Sequence, residues 1–257
     1  MCSAPPMTKS FELAFSEDRT AQAVYIANMV SVEEILAELH VSLNQPVLVI
    51  VGGASKLCEK DYARLQSFFL EVVAPLAESL NMAVVDGGTD AGVMRLMGKA
   101  RYALNASFPL IGVVPVGLMN FPDNPCPIAS DAALPEPNHT HFILIAGNHW
   151  GDESPWIAKV ASAIASDRPS IAILANGGEI TWTDAQQNIA AARPVIVVEG
   201  SGRTADILAQ ALHGDILDKR AEPLVDSHLL RSIEMADEFD DIEQILRSIL
   251  SQEAQIP

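Results

Sequence analysis

The sequence has few cysteines and no long apolar run, and each absence excludes a class of protein. Its three cysteines, Cys2, Cys58 and Cys126, are odd in number and far apart among 257 residues. They therefore form neither a disulfide framework nor a Cys-x-x-Cys metal pair. No apolar run approaches the roughly 18 residues that a membrane-spanning helix requires. The N-terminal stretch has no basic segment followed by an apolar core, so we expect no secretory signal and a soluble, cytoplasmic protein.

Basic residues are also scarce. Sixteen Lys and Arg stand against 33 Asp and Glu, a formal net charge of −17. This balance argues against binding to nucleic acid or to an anionic membrane, because both require clustered positive charge. Apolar residues make up 49% and charged residues 19%, which excludes disorder over most of the chain. Since no linker divides the sequence, we expect residues 1–257 to form a single domain.

Six short apolar runs predict buried strands. They are rich in Val and Ile and do not alternate with polar residues, as expected of parallel strands that are covered on both faces. Helical patterns lie between them, which favours an α/β fold with a Rossmann-like, doubly wound parallel sheet. The strands are predicted at 46–51, 82–85, 110–114, 142–146, 171–175 and 195–198, and the helices at 31–43, 60–80, 90–104, 154–165, 181–192 and 204–212.

Two local signals refine the helices. Ser31 and Glu34 predict a capping box at the start of the first helix. Pro75 is expected to bend or interrupt the last turns of the second.

Three regions fall outside the alternation. Within residues 1–30, Phe11–Phe15 and Ala23–Ile26 predict an edge strand or hairpin. The stretch 115–137 holds six of the 16 prolines and predicts a long irregular connection, of the kind that is often functional. The C-terminal addition, 214–257, contains an acidic run and then an amphipathic helix, with Asp240 or Asp241 as its predicted N-cap.

Four of the predicted strands lead into a turn that contains glycine and then into a helix. In a parallel sheet, such turns all lie at the carboxyl edge, where ligands of open α/β sheets bind. Glycine lets backbone N–H groups approach a phosphate, and the helix N-terminus adds partial positive charge. The sequence therefore predicts an anion-binding cleft, formed by the turns at 52–56, 87–92, 177–181 and 200–204.

Three cations, Lys56, Arg95 and Arg203, stand in or just after these turns. Arg203 can hold a phosphate with two hydrogen bonds, which lysine cannot do. The alternative is that Arg203 is a surface residue paired with Asp206 on its own helix.

Familiar nucleotide motifs are missing. There is no complete GxGxxG, no GxxxxGK[ST], no HExxH and no GxSxG, so the signatures of dinucleotide dehydrogenases, P-loop NTPases and related enzymes are absent.

Two of the glycine turns nevertheless resemble known motifs. The stretch 86–94 (DGGTDAGVM) is similar to the GGxxxGLM motif of the SLOG superfamily, and 176–184 (NGGEITWTD) to its PGGxGTxxE motif. The superfamily includes the Lonely Guy phosphoribohydrolases, once misnamed lysine decarboxylases. Together with 52–55 (GGAS), 137–142 (PNHTHF) and 198–206 (VEGSGRTAD), these motifs more closely resemble the SLOG (LSDAT) module of TRPM channels and its stand-alone prokaryotic forms. The resemblance spans roughly residues 46–210.

This resemblance implies a Rossmann-like fold that binds a nucleotide-derived ligand such as ADP-ribose, NAD or a related nucleotide. It implies no required cofactor and no metal, and it is compatible with a homo-oligomer. The residues expected to bind the ligand are Gly52, Gly53, Ala54, Ser55, Gly87, Gly88, Thr89, Gly92, Asn138, His139, Asn176, Gly177, Gly178, Glu179, Thr181, Gly200, Ser201, Gly202 and Arg203.

The sequence departs from the hydrolase motif at its catalytic end. The closing glutamate of PGGxGTxxE is here Asp184, whose carboxylate is withdrawn by about one methylene. A displacement of roughly 1 Å can cost about 100-fold in rate. We therefore expect a binding or sensing protein, and keep an N-glycosidic hydrolase, with Asp184 or Glu179 as acid/base, as the alternative. A purely structural oligomerisation unit is the third hypothesis.

Two further groups leave alternatives open. His139 and His141 can support the fold, contact the ligand or, with Asp152 or Glu153, bind a metal, although no HxxxH or cysteine supports a metal site. His149 and Trp150 follow another strand and can either stack on a base or pack within their loop.

Overall fold

The computed structural model describes residues 10–16, 18–26, 31–53, 56–121 and 129–253. Within this part of the chain, nine strands form one sheet in the order β1-β2-β6-β5-β4-β3-β7-β8-β9. Every neighbouring pair is parallel except β1 and β2, which form an antiparallel hairpin at one edge. The strands are β1 Phe11–Ser16, β2 Arg19–Tyr25, β3 Val47–Gly52, β4 Ala83–Asp86, β5 Leu110–Pro115, β6 His141–Ile145, β7 Ser170–Ala175, β8 Val195–Glu199 and β9 Leu230–Glu234.

Helices cover both faces of this sheet. The helices of the described chain are α1 Val32–Glu38, α2 Glu59–Phe68, α3 Ala74–Ser79, α4 Gly92–Ala103, α5 Ser154–Ala165, α6 Glu179–Ala190, α7 Thr204–Leu212, α8 Glu222–Asp226 and α9 Phe239–Glu253. One apolar core packs α1, α5, α6, α7 and α8 on one face, and a second packs α2, α3, α4 and α9 on the other. None of the described helices is long and apolar enough to cross a membrane.

The non-alternating strands follow from this double coverage. In β3, Val47, Val49 and Val51 enter one core, while Leu48 and Ile50 enter the other. Because successive side chains point to opposite faces, a strand between two helical layers needs apolar residues at every position. The predicted Rossmann-like α/β fold is confirmed.

Most predicted elements are confirmed. Ser31 and Glu34 form the predicted capping box. A π-helical segment, Phe69–Val73, interrupts the second predicted helix directly before Pro75, which has no N–H for the helical ladder. The predicted N-terminal hairpin is β1 and β2.

Two features of the C-terminal addition differ from expectation. Asp240 and Asp241 do not cap the last helix: α9 begins at Phe239, so both lie in its first turn, where their charge favours the helix dipole. The strand β9 has no long apolar run that would have predicted it, because as an edge strand it leaves Arg231 and Glu234 exposed.

The strand order places a switch point at the centre of the sheet. From β3 the chain moves to β4 on one side, and later from β6 to β7 on the other side of β3. The connections that leave β3 and β7 therefore diverge at their carboxyl ends and open a crevice between them, which is the usual position of a ligand in such sheets.

Candidate functional site

A cleft of about 440 Å³ lies over the carboxyl ends of the central strands. All four glycine turns contribute to it: Gly52 and Gly53 after β3, Gly87 and Thr89 after β4, Gly178 to Thr181 after β7, and Arg203 after β8. The structure thus brings the four turns together at one edge of the sheet. That they hold a ligand stays a prediction.

Gly52 shows why its turn needs glycine. Its φ is +122°, and an added Cβ would lie 1.9 Å from the carbonyl oxygen of Ala175 on β7. No other residue type fits without moving the backbone. The close approach of the two turns sets the floor of the cleft.

One end of the cleft is polar and favours negative charge. The Arg203 guanidinium reaches across to α6, where a Cβ added to Gly178 would lie 3.0 Å from its Nη2. Arg203 is the one cation among the described residues that line the cleft. The N-termini of α4, α6 and α7 meet here, and Ala91, the N-cap of α4, supplies no side-chain bond to the first turn. Partial positive charge from these helix ends adds to that of Arg203.

The other walls are mainly apolar. Trp150 lies in the turn after β6, and its indole N–H donates to Asp131 Oδ2 at 3.1 Å. The neighbouring Gly151 packs against Ile180 of α6, since its added Cβ would lie 3.4 Å from Ile180 Cδ1. The remaining apolar lining comes from Ile50, Val51, Ala91, Met94, Ala133 and Ile157.

Two carboxyl groups line the same cleft. Glu153, directly before α5, is 7% exposed, and Asp184 is partly buried on α6. Burial is the main cause that raises the pKa of Asp184 to about 7; the Ser154 hydroxyl opposes the rise and the Glu153 carboxylate adds to it. Burial also raises the pKa of Glu153, against the N–H of Gly151, which donates to Glu153 Oε2 at 2.8 Å.

The structure separates the two candidate acids of the α6 turn. Glu179 borders the cleft, but its side chain is 79% exposed and forms an ion pair with Arg220. Because Glu179 is exposed and paired with Arg220, Asp184 is the one of these two candidate acids that lies partly buried in the cleft wall. Of the other predicted cations, Arg95 pairs with Asp90 at 2.7 Å, and neither it nor Lys56 lines the cleft.

Two predicted binding residues, Asn176 and Ser201, hold two of the turns together beneath the cleft. The Asn176 N–H donates to Ser201 Oγ at 2.7 Å, and its Nδ2 donates to the Ser201 carbonyl at 2.8 Å. Both residues are buried and tie the turn after β7 to the turn after β8. Neither residue lines the cleft, and a direct contact of either with the ligand stays a prediction.

The turn after β8 is likewise held from within. The backbone N–H groups of Gly200 and Gly202 both donate to Asp206 Oδ1, at 2.8 and 3.1 Å. One carboxylate oxygen thus accepts both N–H groups, and contact of this turn with a phosphate stays a prediction. Asp206 therefore shapes the turn that presents Arg203.

His139 is part of a buried ionic triad rather than of the cleft wall. It is 1% exposed, and its Nε2 lies 2.8 Å from Asp86 Oδ1 and its Nδ1 2.9 Å from Glu136 Oε2. Burial alone would lower the pKa of His139, but Asp86 and Glu136 outweigh it and raise the pKa to about 9. Asn138 bonds to Glu136 through its N–H and its Nδ2. Of the alternatives for this histidine, the structure shows support of the fold.

The triad fastens the proline-rich connection to the cleft. Glu136 N–H donates to the Gly88 carbonyl, and the Gly88 N–H donates to Asp86 Oδ1 at 2.7 Å.

His141 lies apart from the triad: burial is the main cause that lowers its pKa to about 4, and its Nδ1 lies 2.7 Å from Thr140 Oγ1. In the described part of the chain, no group of three or more His, Cys, Asp or Glu is placed to hold a metal ion.

The remaining predicted residues either lie outside the cleft lining or fall outside the described part of the chain. Gly88, Gly92 and Gly177 do not line the cleft. Gly92 is the first residue of α4, and Gly177 has a φ of +91° and packs against the Thr181 side chain. Ala54 and Ser55 lie outside the described residues.

Sequence reasoning missed part of the cleft wall. Asp131 and Ala133 come from the proline-rich connection, and the sequence indicates Glu153 only as a metal partner of the histidines. The length of that connection was the one signal that it reaches a functional site.

Comparison with known proteins agrees with this architecture. Residues 45–243 match the family described as SLOG in TRPM, prokaryote. The chain is 28% identical over 211 residues to transient receptor potential cation channel subfamily M member 2 of Rattus norvegicus, covering 66% of this chain and 14% of the channel. The member 2-like channel of Nematostella vectensis is 22% identical over 227 residues, covering 74% of this chain and 14% of that one.

This chain thus corresponds to about one seventh of the length of these relatives. Among solved structures, the X-ray structure of TM1055, a structural genomics target, superposes with a TM-score of 0.51 at 20% identity, covering 80% of this chain and 99% of that one. This likeness supports the fold alone. With a family match over most of its length, the chain belongs to the SLOG family in the form that is found in TRPM channels and in prokaryotes.

Proposed function

We propose that the cleft binds a nucleotide-derived ligand of the ADP-ribose or NAD kind. The observation that carries the proposal is the convergence of four glycine turns on one cleft at the switch point of the sheet. Membership of the SLOG family supports the same ligand class.

The two ends of the cleft suit the two halves of such a ligand. Arg203 and the helix N-termini supply a guanidinium and backbone N–H groups for phosphate oxygens. The walls around Trp150 and Ile180 supply apolar area and one aromatic ring for a base. A protein with a net charge of −17 can hold an anion here because the local field comes from these groups.

Isothermal titration with ADP-ribose, NAD and AMP tests the proposal. Arg203→Ala should weaken binding by about 1.5–3 kcal/mol, the range for a hydrogen bond to a charged group, which is about 10- to 150-fold. Arg203→Lys should recover only part of this, because the planar fork is lost. Arg168→Ala, an exposed arginine beyond the far end of α5, is the matched control. Absence of binding by every nucleotide, or equal affinity of the Arg203 and Arg168 variants, would refute it.

A second candidate function is N-glycosidic hydrolysis of a nucleotide, favoured by one observation. Asp184 lies in the cleft with a pKa of about 7, which suits a general acid at neutral pH. In such a step the bond between C1′ and the base nitrogen breaks. The Asp184 proton goes to the departing base, water adds its hydroxyl to C1′, and its proton returns to Asp184.

The shortened side chain argues against efficient chemistry. We expect AMP, NAD and ADP-ribose to release base no faster than roughly the uncatalysed background. The measurement is chromatography of products from wild type, Asp184→Asn and Glu179→Gln. Turnover that disappears only in Asp184→Asn would make the protein a hydrolase.

A further inference from the structure

Two carboxyl groups occupy a cleft that the proposed function fills with an anion. Glu153 and Asp184, together the carboxyl pair, come from the start of α5 and from α6. Ser154 follows Glu153 in the chain and is 1% exposed, and its hydroxyl lowers the pKa of the Asp184 carboxyl. Among the described residues, no hydrogen bond of ordinary geometry satisfies this hydroxyl. Glu153 and Asp184 thus place two carboxyl groups among mainly apolar walls.

The charges around the pair do not neutralise it. On the loop before α5, Asp152 adds a second like charge near Glu153. On α6, Glu179 is paired outward with Arg220, and from the proline-rich connection Asp131 accepts from the Trp150 indole. Only Arg203, at the start of α7, brings a cation to the described lining of the cleft.

An anionic ligand makes this arrangement unfavourable unless a charge is removed. The Glu153 carboxylate already opposes ionisation of Asp184, and a nearby phosphate adds to that repulsion. We propose, resting on the proposed function, that Glu153 and Asp184 share one proton and that the pair takes up a proton from solvent when an anionic nucleotide enters. The protonated carboxyl then donates a hydrogen bond to the ligand.

The electrostatics of the cleft favour this exchange. Burial already raises the pKa of both carboxyls, that of Asp184 to about 7, so little additional free energy is needed to protonate the pair at neutral pH. Ligand binding raises the pKa of the pair further. Affinity is therefore highest below pH 7 and declines as the pH rises through and above 7, by up to about tenfold per pH unit.

Calorimetry measures the uptake directly. Wild type is titrated with ADP-ribose at pH 7.5 in phosphate and in Tris, which differ in ionisation enthalpy, with EDTA present. ADP-ribose is suitable because its pyrophosphate has no proton that titrates near neutral pH. We expect uptake approaching one proton per ligand, lost in Asp184→Asn and kept in Asp167→Asn, an exposed aspartate beyond the far end of α5.

A measurement without ligand tests the pair separately. Carbon-13 NMR of the side-chain carboxyls should show Asp184 titrating near pH 7, and at lower pH in Glu153→Gln, because the like charge has been removed. If the midpoint of the Asp184 titration is the same in wild type and in Glu153→Gln, the two carboxyls do not share a proton. That result would overturn the proposal whether or not a nucleotide binds.

The outcomes separate the two proposals. ADP-ribose binding with the same heat in both buffers would overturn proton uptake and leave the proposed function standing. Tighter binding on addition of Mg²⁺ without proton uptake would also overturn it, since the cation would then neutralise the pair. If no nucleotide binds, the proposed function fails and the uptake with it.

Discussion

The buried triad of Asp86, His139 and Glu136 should make stability depend on pH in a defined window. All three side chains are at most 1% exposed, and one imidazolium N–H donates to each carboxylate, at 2.8 and 2.9 Å. The pKa of His139 is about 9 in the fold, against 6.5 in an unfolded chain. Because the folded pKa is raised, the contribution to stability is fully present below pH 6.5 and is lost as the pH rises through 9.

The magnitude follows from the shift. Each pKa unit corresponds to 1.36 kcal/mol, so the rise of the His139 pKa to about 9 corresponds to roughly 3 kcal/mol. In His139→Gln, a neutral amide replaces the imidazolium and leaves two buried carboxylates without a counter-charge. Breaking a buried pair costs about 3–5 kcal/mol, so the variant should be strongly destabilised below pH 6.5.

The assay is urea unfolding at pH 6, 8 and 9.5, followed by tryptophan fluorescence. The stability difference between wild type and His139→Gln should shrink by about 3 kcal/mol across this range. His213→Gln is the control, since His213 is 60% exposed and pairs with Glu199 at the surface. Stability curves of wild type and His139→Gln that run parallel from pH 6 to 9.5 would refute the argument. If His139→Gln does not fold, stabilities of wild type and of His213→Gln that both stay level from pH 6.5 to 9.5 refute it equally.

The glycine turns give two further predictions. Gly52→Ala should destabilise the fold by at least about 3 kcal/mol, because its Cβ would lie 1.9 Å from a carbonyl oxygen. The control is Gly214→Ala, which is also at positive φ but has nothing within 4 Å and should cost about 1–2 kcal/mol. Equal unfolding midpoints of the two variants would contradict this. Gly178→Ala should leave the unfolding midpoint nearly unchanged and weaken ADP-ribose binding several-fold in calorimetry, because the new methyl group lies 3.0 Å from the Arg203 guanidinium and displaces it. Wild-type affinity in that variant would show that the position of Arg203 does not matter.

The role of the proline-rich connection also follows from the triad. Its described end is attached to the turn after β4 by the Glu136 N–H and by a bridge between Thr89 and Pro135. This attachment brings Asp131 and Ala133 to the cleft. A buried histidine outside the cleft therefore positions part of its wall.

The amino-acid sequence by itself determined the elements and their direction. Apolar runs at 46–51 and 171–175 require burial on both faces, and only a parallel sheet between helices provides it. Glycines at 52, 87 and 178 mark turns at one edge. These signals are local, because periodicity, capping and turn conformation depend on residues a few positions apart.

Only the tertiary structure decided which side chains meet in and around the cleft. His139 bonds Asp86 across 53 residues of chain, and Glu153 and Asp184 face one cleft from two helices. Asp206 accepts hydrogen bonds from the N–H groups of Gly200 and Gly202, which the sequence alone predicts as phosphate donors. Such contacts depend on strand order and on which buried polar groups satisfy one another. Local pattern does not encode that choice, because a buried group is satisfied by whichever partner the folded backbone brings within hydrogen-bond reach.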